Sequence, residues 1–191
     1  MGNAAVIDHE AGSDSSIRPE TPADAVAIDT INHSAFSSEA EARLVGELRN
    51  TDAYVPDLSL VAEEGGRVAG HIMFFRTRLN TSHGDTTVLT LAPTAVVPSR
   101  THRGIGTELV RRGLDKARDM GYPAVIEVGF PSFYQRLGFR PLGDFGLEHG
   151  LPVADDFMSA IEFSDGCLQK GGMLRYPAPF VAFYRRAAEQ P

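Results

Sequence analysis

One cysteine, Cys167, stands in 191 residues, so no disulfide can form within the chain and no oxidising compartment is implied. With no assembled partner in the sequence, Cys167 reads as a small buried residue in a strand rather than as a nucleophile. Apolar runs are short. The longest, Val88 to Val97, contains Pro93 and falls well below a membrane span. The N-terminal residues show no basic stretch leading into an apolar segment, so no signal peptide is read and a cytoplasmic protein is expected. Positive charge is also scarce: 18 Lys and Arg against 25 Asp and Glu leave a net charge of −7. That balance opposes binding to nucleic-acid phosphates and mildly favours a cationic partner.

Motifs are missing as well. Among the six histidines no H-x-x-x-H or H-x-H set occurs; His71, His83 and His149 lack partners at ligand spacing, and no metal is expected. No Gly-Lys-Ser/Thr occurs, which removes a P-loop. A dinucleotide fingerprint fails at its third glycine, where Leu109 stands. Six residues also separate Val97 from Gly104, too many for a glycine that should come directly off the strand. Glu127 does lie at about the right distance for a ribose-binding acid, one match out of three.

What remains is a strand, a glycine turn and a helix. Val88 to Val97 leads through Pro98-Ser99-Arg100-Thr101-His102 into Arg103-Gly104-Ile105-Gly106, and a helical pattern follows at once. Such a turn offers several free backbone N–H groups to a phosphate. Its glycines let a ligand reach the main chain. Pro93 cannot donate to a central ladder, so a bulge is expected beside it.

Along the chain, residues 1–15 are small and polar and read as a mobile tail. Ile17-Arg18-Pro19 suits a short first strand, and Thr21-Pro22 starts a helix. Ala40, Leu44, Val45 and Leu48 repeat at helical spacing. Leu58 to Glu63 and Val68 to Phe75 form a hairpin around Gly65-Gly66, and Ser82-His83-Gly84-Asp85 is another turn. Ile105, Leu109, Val110, Leu114 and Ala117 give the next helix its apolar face, closed by Gly121. Arg111, Arg112, Lys116 and Arg118 form its solvated side. Ala124 to Val128 is a buried strand, Ser132 to Leu137 a short helix, and Phe157 to Phe163 a strand. Residues 141 to 156, with Glu148-His149-Gly150, read as loop. Neither a repeat nor a clean second-domain boundary is visible, so a single domain over 16–191 is expected.

Two blocks carry a resemblance. Thr94-Ala95-Val96-Val97-Pro98 followed by Thr101-His102-Arg103-Gly104-Ile105-Gly106 resembles the strand end and Q/R-x-x-G-x-G/A turn of the GCN5-related N-acetyltransferases. About thirty residues on, Phe133-Tyr134-Gln135-Arg136-Leu137-Gly138-Phe139 resembles their Tyr-x-x-Leu-Gly-Phe block. The likeness covers a core at 16–140; the extension at 141–191 is looser, closer to small bacterial acetyltransferases with added C-terminal length. One departure is Thr101, which stands where the family usually has Gln or Arg, with Arg100 displaced by one.

The resemblance implies an α/β fold with a central, mixed, mostly antiparallel sheet flanked by helices. Its fourth and fifth strands would splay around acetyl-coenzyme A as cosubstrate, without metal. The cofactor residues implied are Thr94, Ala95, Val96, Thr101, His102, Arg103, Gly104, Ile105, Gly106 and Thr107. Direct transfer to an amine needs a neutral nucleophile, a held carbonyl and a proton for the thiolate. Tyr134 falls at the position that points to the cofactor sulfur and is the expected acid, with an aromatic core residue as its alternative. Glu127, the lone carboxylate central to the flanking strands, is the expected base, directly or through water; an outward or paired carboxylate is its alternative. Glu63 and Glu64 are weaker candidates. The acceptor would be a small-molecule or peptide amine, and a homodimer stays open. A non-catalytic acyl-coenzyme A sensor is the rival reading, and a nucleotide-dependent enzyme the third.

Overall fold

Asp24 caps the start of the first helix: the Thr21 backbone N–H and hydroxyl both donate to Asp24 Oδ2, at 2.7 and 2.9 Å. Pro22 fits the first turn because its missing N–H is not needed there. In the computed structural model, which describes residues 15–168 and 171–189, helix α1 (Ala25–Phe36) and helix α2 (Ala40–Arg49) follow. Both lie on one face of a sheet whose first strand, β1 (Ser15–Pro19), is short. The expected tail at 1–15 falls outside the described residues except for Ser15, which opens β1.

Strands β2 (Tyr54–Glu64), β3 (Arg67–Thr81) and β4 (Gly84–Val96) run antiparallel, longer than the sequence pattern indicates. Gly65 and Gly66 take φ of +59° and +71°, the left-handed pair that a two-residue hairpin requires. Helix α3 (Ile105–Asp119) connects β4 to β5 (Ala124–Val128), which lies parallel to β4. Helix α4 (Pro131–Tyr134) continues as a 3₁₀ turn to Leu137 and stops at Gly138. Beyond it come β6 (Arg140–Pro141), β7 (Leu147–Glu148), β8 (Met158–Glu162), β9 (Gly172–Arg175) and helix α5 (Ala178–Ala188). The main strand order is β1-β2-β3-β4-β5-β8-β6; β9 pairs with β3 and β7. The sheet is therefore mixed and mostly antiparallel, as expected.

Two apolar clusters sit on the flanking helices. Ile72, Phe74, Leu89 and Leu91 pack with Leu109, Val110 and Leu114 of α3. Val61, Met73 and Phe75 pack with Ile28 of α1, Leu44, Val45 and Leu48 of α2, and Phe180 of α5. Sequence periodicity finds neither β9 nor α5. The stretch read as plain loop holds 3₁₀ turns at Leu142–Phe145 and Asp155–Phe157 besides β7. Cys167 lies not in a strand but in the turn after β8, half-buried, with its sulfur 3.4 Å from the Pro123 carbonyl. Burial pushes its thiol up to about 11, the wrong direction for a nucleophile.

Candidate active site

The site opens where β4 and β5 part. Their parallel pairing covers Leu89 to Leu91 against Val125 to Glu127 and stops there. Opposite β3, the register steps from Phe74↔Leu91 to Ile72↔Thr94, so Ala92 and Pro93 hold one extra residue in the ladder. The bulge expected beside Pro93 is present. Past it, Thr94, Ala95 and Val96 stay paired to β3 while their β5 side has no strand partner among the described residues.

A cavity of about 710 Å³ fills this opening. Thr94, Val96, Thr101, His102, Gly104, Ile105, Gly106 and Thr107 line it, together with Tyr134. Ala95 and Arg103 do not, and Glu127 is not on its wall. Ala95 is buried, its side chain on the opposite side of the strand from those of its neighbours. Gly104 takes φ +84°, and a Cβ there would enter open space. The first N–H turned back into the helix is that of Glu108, which donates to the Gly104 carbonyl at 2.9 Å. The preceding N–H groups of α3 have no side-chain cap and face the cavity end, a suitable seat for a phosphate.

Thr101 does fix the loop. Its hydroxyl donates to the Pro98 carbonyl at 3.0 Å, closing the 3₁₀ turn Pro98–Arg100. Arg100, displaced from the usual motif position, pairs with Glu64 at the end of β2 and still lines the cavity. Glu63 is likewise engaged, by Arg18 at 3.0 Å. Neither acid lines the cavity.

Tyr134 ends α4 with its ring held edge-on between Phe133 and Phe139, at 4.9 and 5.4 Å between centroids. Its hydroxyl reaches Thr94 Oγ1 at 3.3 Å, so the phenol spans the opening from α4 to β4. Burial above all, then the charge of Glu127, raises its pKa and keeps it protonated.

Glu127 is 1% exposed. Register sets it opposite Leu91 on β4 and Ser159 on β8. Its Oε2 accepts the Ser159 hydroxyl at 2.8 Å, while Oε1 has no partner among the described residues. Burial raises its pKa to about 8, with the Ser159 bond pulling the other way. The carboxylate is inward, contrary to the outward alternative. Gly129 makes the room: a Cβ there would stand 2.3 Å from Glu127 Oε1 and 3.5 Å from Tyr134 Cε2. Acid and base candidates thus meet across Gly129.

Sequence reasoning missed Ser159, Gly129 and the aromatic rim. Phe36 and Phe130, 39% and 73% exposed, line the cavity mouth. Gly129 had a signal, a glycine closing a buried strand. Ser159 had none, because only the β5–β8 pairing brings it to Glu127. A second polar cluster lies away from the cavity. His71 Nε2 stands 3.1 Å from Ser59 Oγ and 3.4 Å from Glu20 Oε2, and Glu20 is clamped by Arg49 at 2.7 Å. Serine and carboxylate meet the same ring nitrogen, and Ser59 is fully buried, so this is not a nucleophilic triad. Burial lowers the His71 pKa and keeps the ring neutral. Among the described residues no group of three His, Cys, Asp or Glu could hold a metal.

Residues 16–142 match the acetyltransferase (GNAT) domain. The chain belongs to the GNAT acetyltransferase family. It is 32% identical over 169 residues to the uncharacterized N-acetyltransferase YhbS of Escherichia coli (strain K12), spanning 87% of this chain and 99% of that protein. To the uncharacterized N-acetyltransferase YjhQ of the same strain it is 34% identical over 134 residues, 70% of this chain and 74% of that one. Among solved structures, E. coli YhbS in complex with CoA superposes with a TM-score of 0.80 at 31% identity, covering 87% of this chain and 91% of that one. A GNAT acetyltransferase from Brucella melitensis in complex with acetyl-CoA gives 0.72 at 29% identity, covering 88% and 99%. The family match ends at Leu142, yet beyond it β8 pairs with β5 and Phe180 of α5 packs into the apolar cluster under α1 and α2.

Proposed function

We propose that the protein transfers an acetyl group from acetyl-CoA directly to an amine. One observation carries the reading: at the β4–β5 opening a protonated phenol and a buried carboxylate, one of whose oxygens has no partner among the described residues, stand on either side of Gly129. Two relatives of known structure hold CoA and acetyl-CoA, which supports the choice of cosubstrate. Its pyrophosphate would lie on the first turn of α3 and its pantetheine arm along Thr94 to Val96. Main-chain N–H groups facing the opening would hold the thioester carbonyl as it gains charge.

The amine attacks the thioester carbon, forming C–N and breaking C–S. Glu127 takes the proton the nitrogen sheds, directly or through one water, a task suited to a pKa of about 8. Tyr134 gives its proton to the departing sulfur and regains one from solvent or from Glu127. No acetyl-enzyme is needed, and the half-buried, weakly acidic Cys167 takes no part.

The test is thiol release from acetyl-CoA across a panel of amines, with calorimetry of acetyl-CoA binding alongside. Acceptor-dependent release supports transfer. Tight binding with no release to any amine would establish the non-catalytic acyl-CoA sensor instead.

A further inference from the structure

Arg78 of β3 and Arg175 of β9 stand directly opposite each other in the strand register, so their side chains share one face of the sheet. Like charges placed this way repel and destabilise the pair. Arg76, two residues back on β3, shares that face. The protein carries a net charge of −7. Yet the cavity of about 550 Å³ that these three arginines line has Asp52 as its one acid among the described residues.

The cavity is a notch in the edge of β3. Pairing with β2 reaches Tyr54↔Phe75, and β9 takes over that edge at Arg175↔Arg78. Residues 51–53 and 175–179 form its two sides. Neutral oxygens hold Arg76 in place: its Nε donates to the Tyr122 hydroxyl at 3.2 Å, and its Nη1 to the Asp52 and Tyr54 carbonyls at 2.9 and 3.1 Å. These bonds fix the guanidinium without cancelling its charge. Arg78 has a carboxylate only at 3.8 Å, that of Asp85, which the Asn80 amide also engages at 2.6 Å. Neither Arg76 nor Arg175 forms an ion pair among the described residues. Thr87, the partner of Arg78 on β4, adds a hydroxyl to the same wall.

We propose that this notch is a second anion site, in which Arg76, Arg78 and Arg175 hold the phosphate group of a small molecule. A phosphate brings up to two charges and three acceptor oxygens, and arginine meets it with paired N–H groups. Set between Arg78 and Arg175, it turns their repulsion into two charge-assisted attractions. Arg76, already fixed, loses little freedom on joining them. The notch is separate from the β4–β5 opening. The two cavities share no lining residue, and Thr87 precedes Thr94 by roughly 20 Å along β4. The inference therefore does not depend on acetyl transfer.

The protein is first saturated with CoA, so that the turn before α3 is taken, and then titrated calorimetrically with inorganic pyrophosphate at constant ionic strength. Citrate is run in parallel. One equivalent of pyrophosphate is expected to bind, more tightly than citrate. Arg78→Gln and Arg175→Gln should each weaken it about ten- to a hundred-fold, the worth of one charge-assisted bond, with CoA affinity unchanged. Arg111→Gln removes the same charge from the exposed side of α3 and should leave pyrophosphate binding as it is. The proposal is overturned if the CoA-loaded protein takes up no pyrophosphate, if citrate binds as tightly, or if Arg175→Gln weakens binding no more than Arg111→Gln does.

Discussion

Tyr134 has two jobs that a single methyl-sized change can separate. The ring fills the space between Phe133 and Phe139, and the hydroxyl's hydrogen bond among the described residues is to Thr94, at a long 3.3 Å. Tyr134→Phe keeps the first and removes the second. It is expected to lower kcat by about 10²–10⁴-fold while costing no more than about 1 kcal/mol of stability. Single-turnover kinetics and thermal melts check both halves; full turnover with a lowered Tm would make Tyr134 a core residue. Glu127 gives a pH signature. As a base it must be ionised, so kcat/KM should climb through an apparent pKa near 8, and Glu127→Gln should flatten that limb. Its effect on stability has the opposite slope. The folded pKa is raised from 4.5 to about 8, so as pH rises past 4.5 the unfolded chain releases this proton before the folded one does. The carboxyl therefore costs stability increasingly up to about pH 8 and by a constant amount above it. Melts at pH 5 and pH 9 should show Glu127→Gln gaining on the wild type by roughly 3–5 kcal/mol over that span. A pH-independent difference would mean that Glu127 is not held protonated by its surroundings.

At the scale of elements, α3 must lie close on β3 for its first turn to reach the opening. Gly113 permits this: a Cβ there would stand 2.2 and 2.4 Å from Phe74 Cε2 and Cζ, and Phe74 is fully buried. Gly113→Ala would gain up to about 1 kcal/mol of helix propensity but overpack the core by about 1–3 kcal/mol. A net loss is expected, read as a lower denaturant midpoint, with weaker acetyl-CoA binding as the helix is pushed outward. Gly104 tests the other end of the same helix. Its left-handed φ and open surroundings mean that Gly104→Val strains the turn and places a side chain in the cavity. Acetyl-CoA affinity should fall in calorimetry; unchanged affinity would move the phosphate seat elsewhere. These elements were legible because each has a local cause. The α3 face repeats every three to four residues, Gly65-Gly66 turns a hairpin, and Pro93 forces a bulge. Helix α5 escaped notice although Pro177 and Pro179 mark its start, because its apolar and aromatic residues give no clean stripe.

Across the whole molecule, the C-terminal segment beyond the family match is part of the core. Phe180 is fully buried and packs on Phe75 at 4.9 Å between ring centroids. Phe180→Ala should cost about 3–5 kcal/mol, measured by denaturant unfolding. A loss within the range of surface substitutions would mean that α5 is only appended. By itself the sequence determined the family, the fold class, the glycine turn before α3 and the identity of Tyr134 and Glu127 as the groups to watch. Those signals are local: two motif blocks, a helical repeat, a lone acid in an apolar strand. The tertiary structure decided what no local pattern carries. It turned Glu127 inward onto Ser159, 32 residues away. It cleared the space over Gly129 and bridged Tyr134 to Thr94. The physical reason is that burial and unpaired hydrogen-bonding capacity are set by strand pairing and helix packing between distant segments, and only the folded chain supplies those neighbours.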